Sequence, residues 1–192
     1  MRKKRCEIEF RKSKEEIKYL KHLHSIDYID LYFGDASHFS TVPNVPYAWQ
    51  TKDDPVLLPS DRSKSWSVLG LMTPCSKLFQ RTYEGSVNSQ IMIDFLDEFC
   101  EKITKKTVII LDNAPIHKSK IFTVKVKEWE ERDLIIYFIP PYSPELNLIE
   151  ILWRFVKYQW LPFDAFTNFV SLKKHLNEIL DNFGSKYMIN FS

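Results

Sequence analysis

Apolar residues along this chain follow two spacings, and the changes between them mark its elements. Over residues 13 to 24, Ile17, Leu20 and Leu23 recur at helical intervals among charges, which predicts an amphipathic helix. Residues 26 to 33, with Ile26, Tyr28, Ile29, Leu31, Tyr32 and Phe33, form a β-prone run that ends at Gly34 and Asp35. Residues 41 to 63 hold four of the ten prolines and predict a long irregular excursion carrying Trp49. Two strands at about 65 to 73 and 77 to 84, joined by a turn at 74 to 76, predict a hairpin. Over 88 to 103, Ile91, Phe95, Leu96, Phe99 and Ile103 share a helical face, with Asn88 as N-cap.

The run "TVIILD" is continuously apolar until Asp112, the pattern of a strand covered on both faces. A helix is expected within 117 to 131, then a buried strand over 134 to 140. Ile149, Trp153, Val156 and Trp160 predict a helix with those residues in the core, and residues 169 to 183 a last one carrying Val170, Leu172, Leu176, Ile179 and Leu180. The order is that of an α/β sandwich: three antiparallel strands first, then two brought in by helical crossovers. Ribonuclease-H-like domains have this plan, a mixed five-stranded sheet flanked by helices.

Composition narrows the function classes. At 192 residues with 44% hydrophobic content, the chain is long enough for one well-packed domain. No stretch approaches the roughly 18 apolar residues of a membrane span, and the basic start has no apolar run behind it, so an intracellular protein with no membrane partner is expected. Cys6, Cys75 and Cys100 are odd in number and far apart, suggesting neither a disulfide framework nor a zinc knuckle. A net charge of +2 gives no bulk argument for nucleic acid. The N-terminal cluster of Arg2, Lys3, Lys4, Arg5, Arg11, Lys12, Lys14, Lys18 and Lys21 fits phosphate contact or, more ordinarily, a solvated helix face.

The acidic positions carry the chemistry. Sites in open α/β sheets form at the carboxyl ends of strands, where Asp35 and Asp112 are both expected. Neighbouring carboxylates repel unless cations are present, and a pair of Mg²⁺ ions is the natural remedy, able to clamp both oxygens of a phosphoryl displacement. A third acid is offered by Glu145 or Glu150. Glu150 is favoured because it lies on the margin of the Ile149, Trp153 and Val156 face, although a capping box with Asn147 or an ion pair with Arg154 would also explain it. His117 is a candidate to hydrogen-bond Asp112, a metal-bound water or a phosphate, or to serve only locally at a helix start. Asn113 and Asn147 are expected to orient carboxylates or, more ordinarily, to cap helices. Trp49 is read as pinning its loop rather than stacking on a base. Lys118, Lys120, Lys125 and Lys127 are positioned to track a phosphate backbone, though such charges are usually just solvated.

"DNAPIHKSK" and "PPYSPELNLIEILW" resemble the second and third signature blocks of the DDE catalytic domain of mariner-like transposases of the bacterial insertion-sequence type, and "LYFGDASHFSTVPNVPYAWQ" is similar to the first. The resemblance covers residues 26 to 161 and implies a catalytic and metal-binding triad of Asp35, Asp112 and Glu150, with 37 residues (113 to 149) between the last two. His117, Asn113 and Asn147 would stand around it. The resemblance also implies an endonuclease and strand transferase performing DNA transposition and integration, two Mg²⁺ per site with Mn²⁺ as substitute, double-stranded DNA as partner, a homodimer on paired ends, and a bacterial, cytoplasmic, nucleoid-associated location.

Two departures stand out: Ala36 where the family often has Glu, and Leu148 where Pro is usual. Residues 1 to 25 are expected to be a basic helical segment and 26 to 192 the catalytic domain. The N-terminal helix-turn-helix domain of such transposases is expected to be absent, its role left to a separate polypeptide. The alternatives are a catalytically incomplete remnant acting as a DNA-associated or oligomerising protein, and a ribonuclease-H-like nuclease acting on RNA hybrids, which the "PYSPELN" block disfavours.

Overall fold

The structure, a computed structural model, describes residues 5 to 42 and 64 to 191. The expected excursion, from residue 43 onward and including Trp49, lies outside the described residues. Helix α1, Glu7–Ser25, begins six residues earlier than its apolar spacing predicts and packs through Phe10, Ile17, Leu20 and Leu23. The chain turns at Asp27, whose φ of 61° is left-handed, so Ile26 and Tyr28 belong to the turn and not to a strand.

Strand β1, Asp30–Ser40, does not stop at Gly34 and Asp35 as expected. Its alternation continues through buried Ser37, exposed His38 and buried Phe39, because β2 supports it on one side as far as Ser40↔Ser65. Strands β2, Ser65–Met72, and β3, Leu78–Glu84, form the expected hairpin. Helix α2, Ser89–Cys100, is capped by Asn88, whose side-chain oxygen accepts from the Ile91 N–H at 2.9 Å.

Strand β4, Thr107–Leu111, is buried throughout and is followed by a 3-10 turn, Pro115–Lys118, and helix α3, Lys120–Glu130. Strand β5, Leu134–Phe138, completes a five-stranded sheet of order β3-β2-β1-β4-β5, antiparallel in its first half and parallel in β1, β4 and β5. This is the ribonuclease-H-like arrangement. Helix α4, Ile149–Phe155, runs into a π turn, Val156–Trp160, and helix α5, Phe169–Asp181, follows. The π turn breaks the helical phase, so Trp160 is only partly buried against Phe155, Phe183 and Tyr187. Val170 is 76% exposed because it lies two residues, about 200° of helix, from the Leu172 face.

Strand residues alternate between two cores. Leu31, Phe33 and Phe39 of β1 join Val108 and Ile110 of β4 on the face covered by α1, α4 and α5. Tyr32 and Ala36 join Ile109 and Leu111 on the opposite face, under α2 and α3.

Candidate active site

Strands β1 and β4 pair in parallel only from Asp30↔Thr107 to Phe33↔Ile110. Two residues further along this register, Asp35 is set beside Asp112, where β4 has ended and β1 continues alone toward β2. The period of two places both on the α4 face, since Phe33 and Ile110 face that core. Asp112 therefore ends its strand as its sequence predicts, whereas Asp35 lies inside one. The site forms where one strand outruns its neighbour.

Glycines let the third acid approach. Gly70 opposes Asp35 in β2, and a β-carbon there would come within 3.0 Å of Ile149 Cδ1 and of the Trp153 ring. The bare backbone at Gly70 allows α4 to lie against the sheet and to carry Glu150 over the cleft. Asn147 fixes this seat. Its side-chain N–H donates at 2.9 Å to the carbonyl of Gly34, just past the last parallel pair. Contrary to expectation, Asn147 caps nothing: the residue before α4 is Leu148, and no side chain caps that helix. Asn113 is no cap either; it donates at 2.5 Å to the Ile139 carbonyl and ties the ends of β4 and β5 together.

His117 is 5% exposed and packs against Phe122 and Phe138. Its Nδ1 lies 3.0 Å from the Asp112 carbonyl and 3.2 Å from the Asp112 carboxylate, so the ring steadies Asp112 from below and does not line the cleft. Nε2 is buried without a hydrogen-bond partner among the described residues. The Asp112 carboxylate also accepts from the Ala114 N–H at 3.1 Å.

The three acids have different electrostatic surroundings. His117 holds the Asp112 pKa below the usual carboxylate range, against the effect of partial burial. Asp35 is pushed up to about 7, first by burial, then by Glu150 and, less, by Asp112. The Trp153 indole N–H draws it back, but short of a full hydrogen bond, since Nε1 has no partner within bonding range among the described residues. Glu150 is raised by desolvation, with Lys157 opposing and Asp112 reinforcing. Lys157, absent from the expected site, is lowered by burial while Asp35 and Glu150 pull it up. Its signal was present in the sequence: seven residues after Glu150, Lys157 falls on the same side of a helix, two turns on.

Asp112 and Glu150 line one cleft of about 440 Å³ together with Asn113, Lys118 and Asn147. Glu145 lies in an adjoining hollow with Glu150 and Lys157 and pairs with Arg5 at 3.1 Å, so it is already engaged. The Glu150 side chain has no hydrogen-bond or ion-pair partner among the described residues, so neither the capping box nor the Arg154 pair that would also explain it forms. Among the described residues no three His, Cys, Asp or Glu side chains stand close enough to hold one metal ion. The fold thus brings Asp112 and Glu150 to one cleft and Asp35 within electrostatic reach of both, without closing the three to a common coordination distance. The donor set still fits a hard divalent cation: all are carboxylate oxygens, with the Asp35 anion disfavoured by burial and then by the Glu150 and Asp112 charges.

In open α/β sheets sites form at the carboxyl ends of strands, which is where Asp112 stands. The model of the DDE superfamily endonuclease family matches residues 30–173, and the chain belongs to that family. An uncharacterized protein of Sinorhizobium fredii, y4pE/y4sA, is 35% identical over 68 residues, which are 35% of this chain and 46% of that protein. In structure, the chain is similar to a Mos1 transposase paired-end complex with the left transposon end: 18% identity, TM-score 0.62, covering 92% of this chain and 55% of that one. The mariner Mos1 paired end complex with Mg is similar at 17% identity and TM-score 0.61, covering 91% of this chain and 54% of that one. At these identities the likeness is one of fold, and the chain spans about half the length of the proteins it matches. Among the described residues no helix is long and apolar enough to cross a membrane.

Proposed function

We propose that this chain is the catalytic domain of a transposase that cleaves DNA at transposon ends and transfers the freed strand to target DNA, acting as a homodimer on paired ends. Residues 26 to 192 would form that domain, with end recognition supplied by a helix-turn-helix polypeptide. Family membership supports the reading, and one observation carries it: the β1–β4 register, continued two residues past its last pair, sets Asp35 beside Asp112, which lines one cleft with Glu150.

Asp35, Asp112 and Glu150 would hold two Mg²⁺ ions, with Mn²⁺ as substitute. When bound, the ions supply Lewis acidity at the attacking and leaving oxygens. The rest falls to the protein. His117 keeps Asp112 ionised and oriented, and Asn147 seats α4 so that Glu150 faces Asp112 across the cleft. Lys157 and Lys118 offer positive charge to phosphate oxygens at the rim. In the first step a water oxygen bonds to phosphorus as the P–O3′ bond breaks, leaving a 3′-hydroxyl and a 5′-phosphate. In the second, that 3′ oxygen bonds a target phosphorus, breaking the target P–O3′ bond.

Asp112→Asn or Glu150→Gln should lower Mg²⁺- or Mn²⁺-dependent cleavage of a transposon-end duplex by at least about 100-fold, equivalent to about 3 kcal/mol of barrier. Circular dichroism of each variant checks that the fold is intact. Undiminished cleavage by either folded variant would remove that carboxylate from the chemistry.

A further inference from the structure

We propose that the outer face of α3 is a track for the phosphate backbone of the duplex leaving the active-site cleft, with Lys118, Lys120 and Lys127 as its contacts. The inference rests on the DNA-cleaving reading above.

The four lysines that follow Asp112 are equivalent in sequence, and the structure separates them. Lys125 is neutralised, with Nζ 3.1 Å from Asp97 and 2.9 Å from Glu128. Lys118, Lys120 and Lys127 have no carboxylate within ion-pair distance among the described residues, and all three border one shallow groove floored by Thr123 and Val124. Val124 is 60% exposed there. An apolar floor flanked by unpaired ammonium groups matches a sugar-phosphate backbone, whose sugars are apolar and whose phosphates demand cations.

Continuity with the site decides which DNA this is. Lys118 lines both this groove and the cleft that holds Asp112 and Glu150. A strand passing out of the cleft past Lys118 meets Lys120 and then Lys127 along one helix. The seven residue steps from Lys120 to Lys127 span about 10 Å, close to three base-pair steps of one strand. Glu130 and Glu131, at the end of α3, close the track with negative charge. The alternative, a solvated basic face, predicts that these charges do nothing.

The test is Lys120→Glu/Lys127→Glu against Lys125→Glu, which removes a lysine already paired. Binding of a labelled duplex of about 30 base pairs is followed by fluorescence anisotropy from about 25 to 200 mM KCl, using the full chain and Asp112→Asn to prevent turnover. The track predicts at least 10-fold weaker binding for the double variant and a log Kd against log salt slope reduced by about 2, since each phosphate contact contributes about 0.9. Lys125→Glu should change neither. A duplex of about 8 base pairs, long enough only for the cleft, should lose less than the long one. Unchanged affinity and slope in the double variant, beside a parent that binds, would overturn the track and leave the catalytic reading standing. A parent that binds no DNA at any salt would overturn both.

Discussion

Asp35 is the residue at which the fold and the chemistry are in open conflict. Burial and two neighbouring carboxylates raise its pKa from 3.8 to about 7. A folded-state pKa above the unfolded value means that the native protein binds the proton more tightly. The stabilisation is fully present below about pH 3.8 and is lost as pH rises through about 7. In chelator, this group alone should therefore cost at most about 4 kcal/mol between pH 4 and pH 8. Asp35→Asn, which cannot ionise, should flatten the fall of Tm over that range. The same pH slope in variant and parent would show that Asp35 is not held under this repulsion. His117 does the opposite for its neighbour, keeping Asp112 anionic, so the two registered acids divide into one that gives up its proton readily and one that resists.

At the scale of elements, α4 positions the third acid and depends on contacts its own sequence does not reveal. The pattern from Asn147 to Glu150 has the form of a capping box, yet the caps that do form are Asn88, Ser119 and Asn168, each accepting from an N–H three residues on. Asn147 is drawn instead to the Gly34 carbonyl, an acceptor created where β4 stops short of β1. A cap is a local option, and a stranded buried carbonyl 113 residues away outweighs it. Gly70 is equally telling. Gly70→Val would drive methyl groups into Ile149 and Trp153, where even a β-carbon stands at 3.0 Å. The expected result is a destabilisation of about 1–3 kcal/mol in urea unfolding and a larger loss of cleavage than that stability change explains, because α4 lifts Glu150 away. Normal cleavage by a folded Gly70→Val would mean that the seating of α4 does not set the site.

The whole molecule behaves as a sheet with two cores that spends some of its stability on a charged edge. Any cation that binds the native site relieves that repulsion and shifts folding by mass action. Mg²⁺ or Mn²⁺ at about 100 times its dissociation constant should add about 2.7 kcal/mol, seen as a rise in Tm at pH 8 that chelator reverses. The rise should disappear in Asp112→Asn. An equal rise in that variant would place the binding elsewhere.

The ribonuclease-H-like plan was legible in the sequence because it rests on periodicity, and periodicity is local: "VIIL" before Asp112, the hairpin, and the face of Leu172, Leu176, Ile179 and Leu180 all read directly. Asp112 and Glu150 were likewise legible, as a strand-end carboxylate and a motif, and they line one cleft, with Asp35 within electrostatic reach of both. What the pattern misjudged depends on partners distant in sequence. Strand β1 runs past Asp35 because β2 holds it, Asn147 serves a carbonyl on β1, and Trp160 leaves the core because a π turn intervenes. Lys125 is neutralised by Asp97, on another helix, while its three neighbours stay unpaired. The sequence by itself determined the apolar faces of most elements and where carboxylates accumulate, since both follow from short-range alternation of polarity. Only the tertiary structure decided which charges are free and how near the acids come, because those depend on the register of strands and the seating of α4 across long stretches of chain.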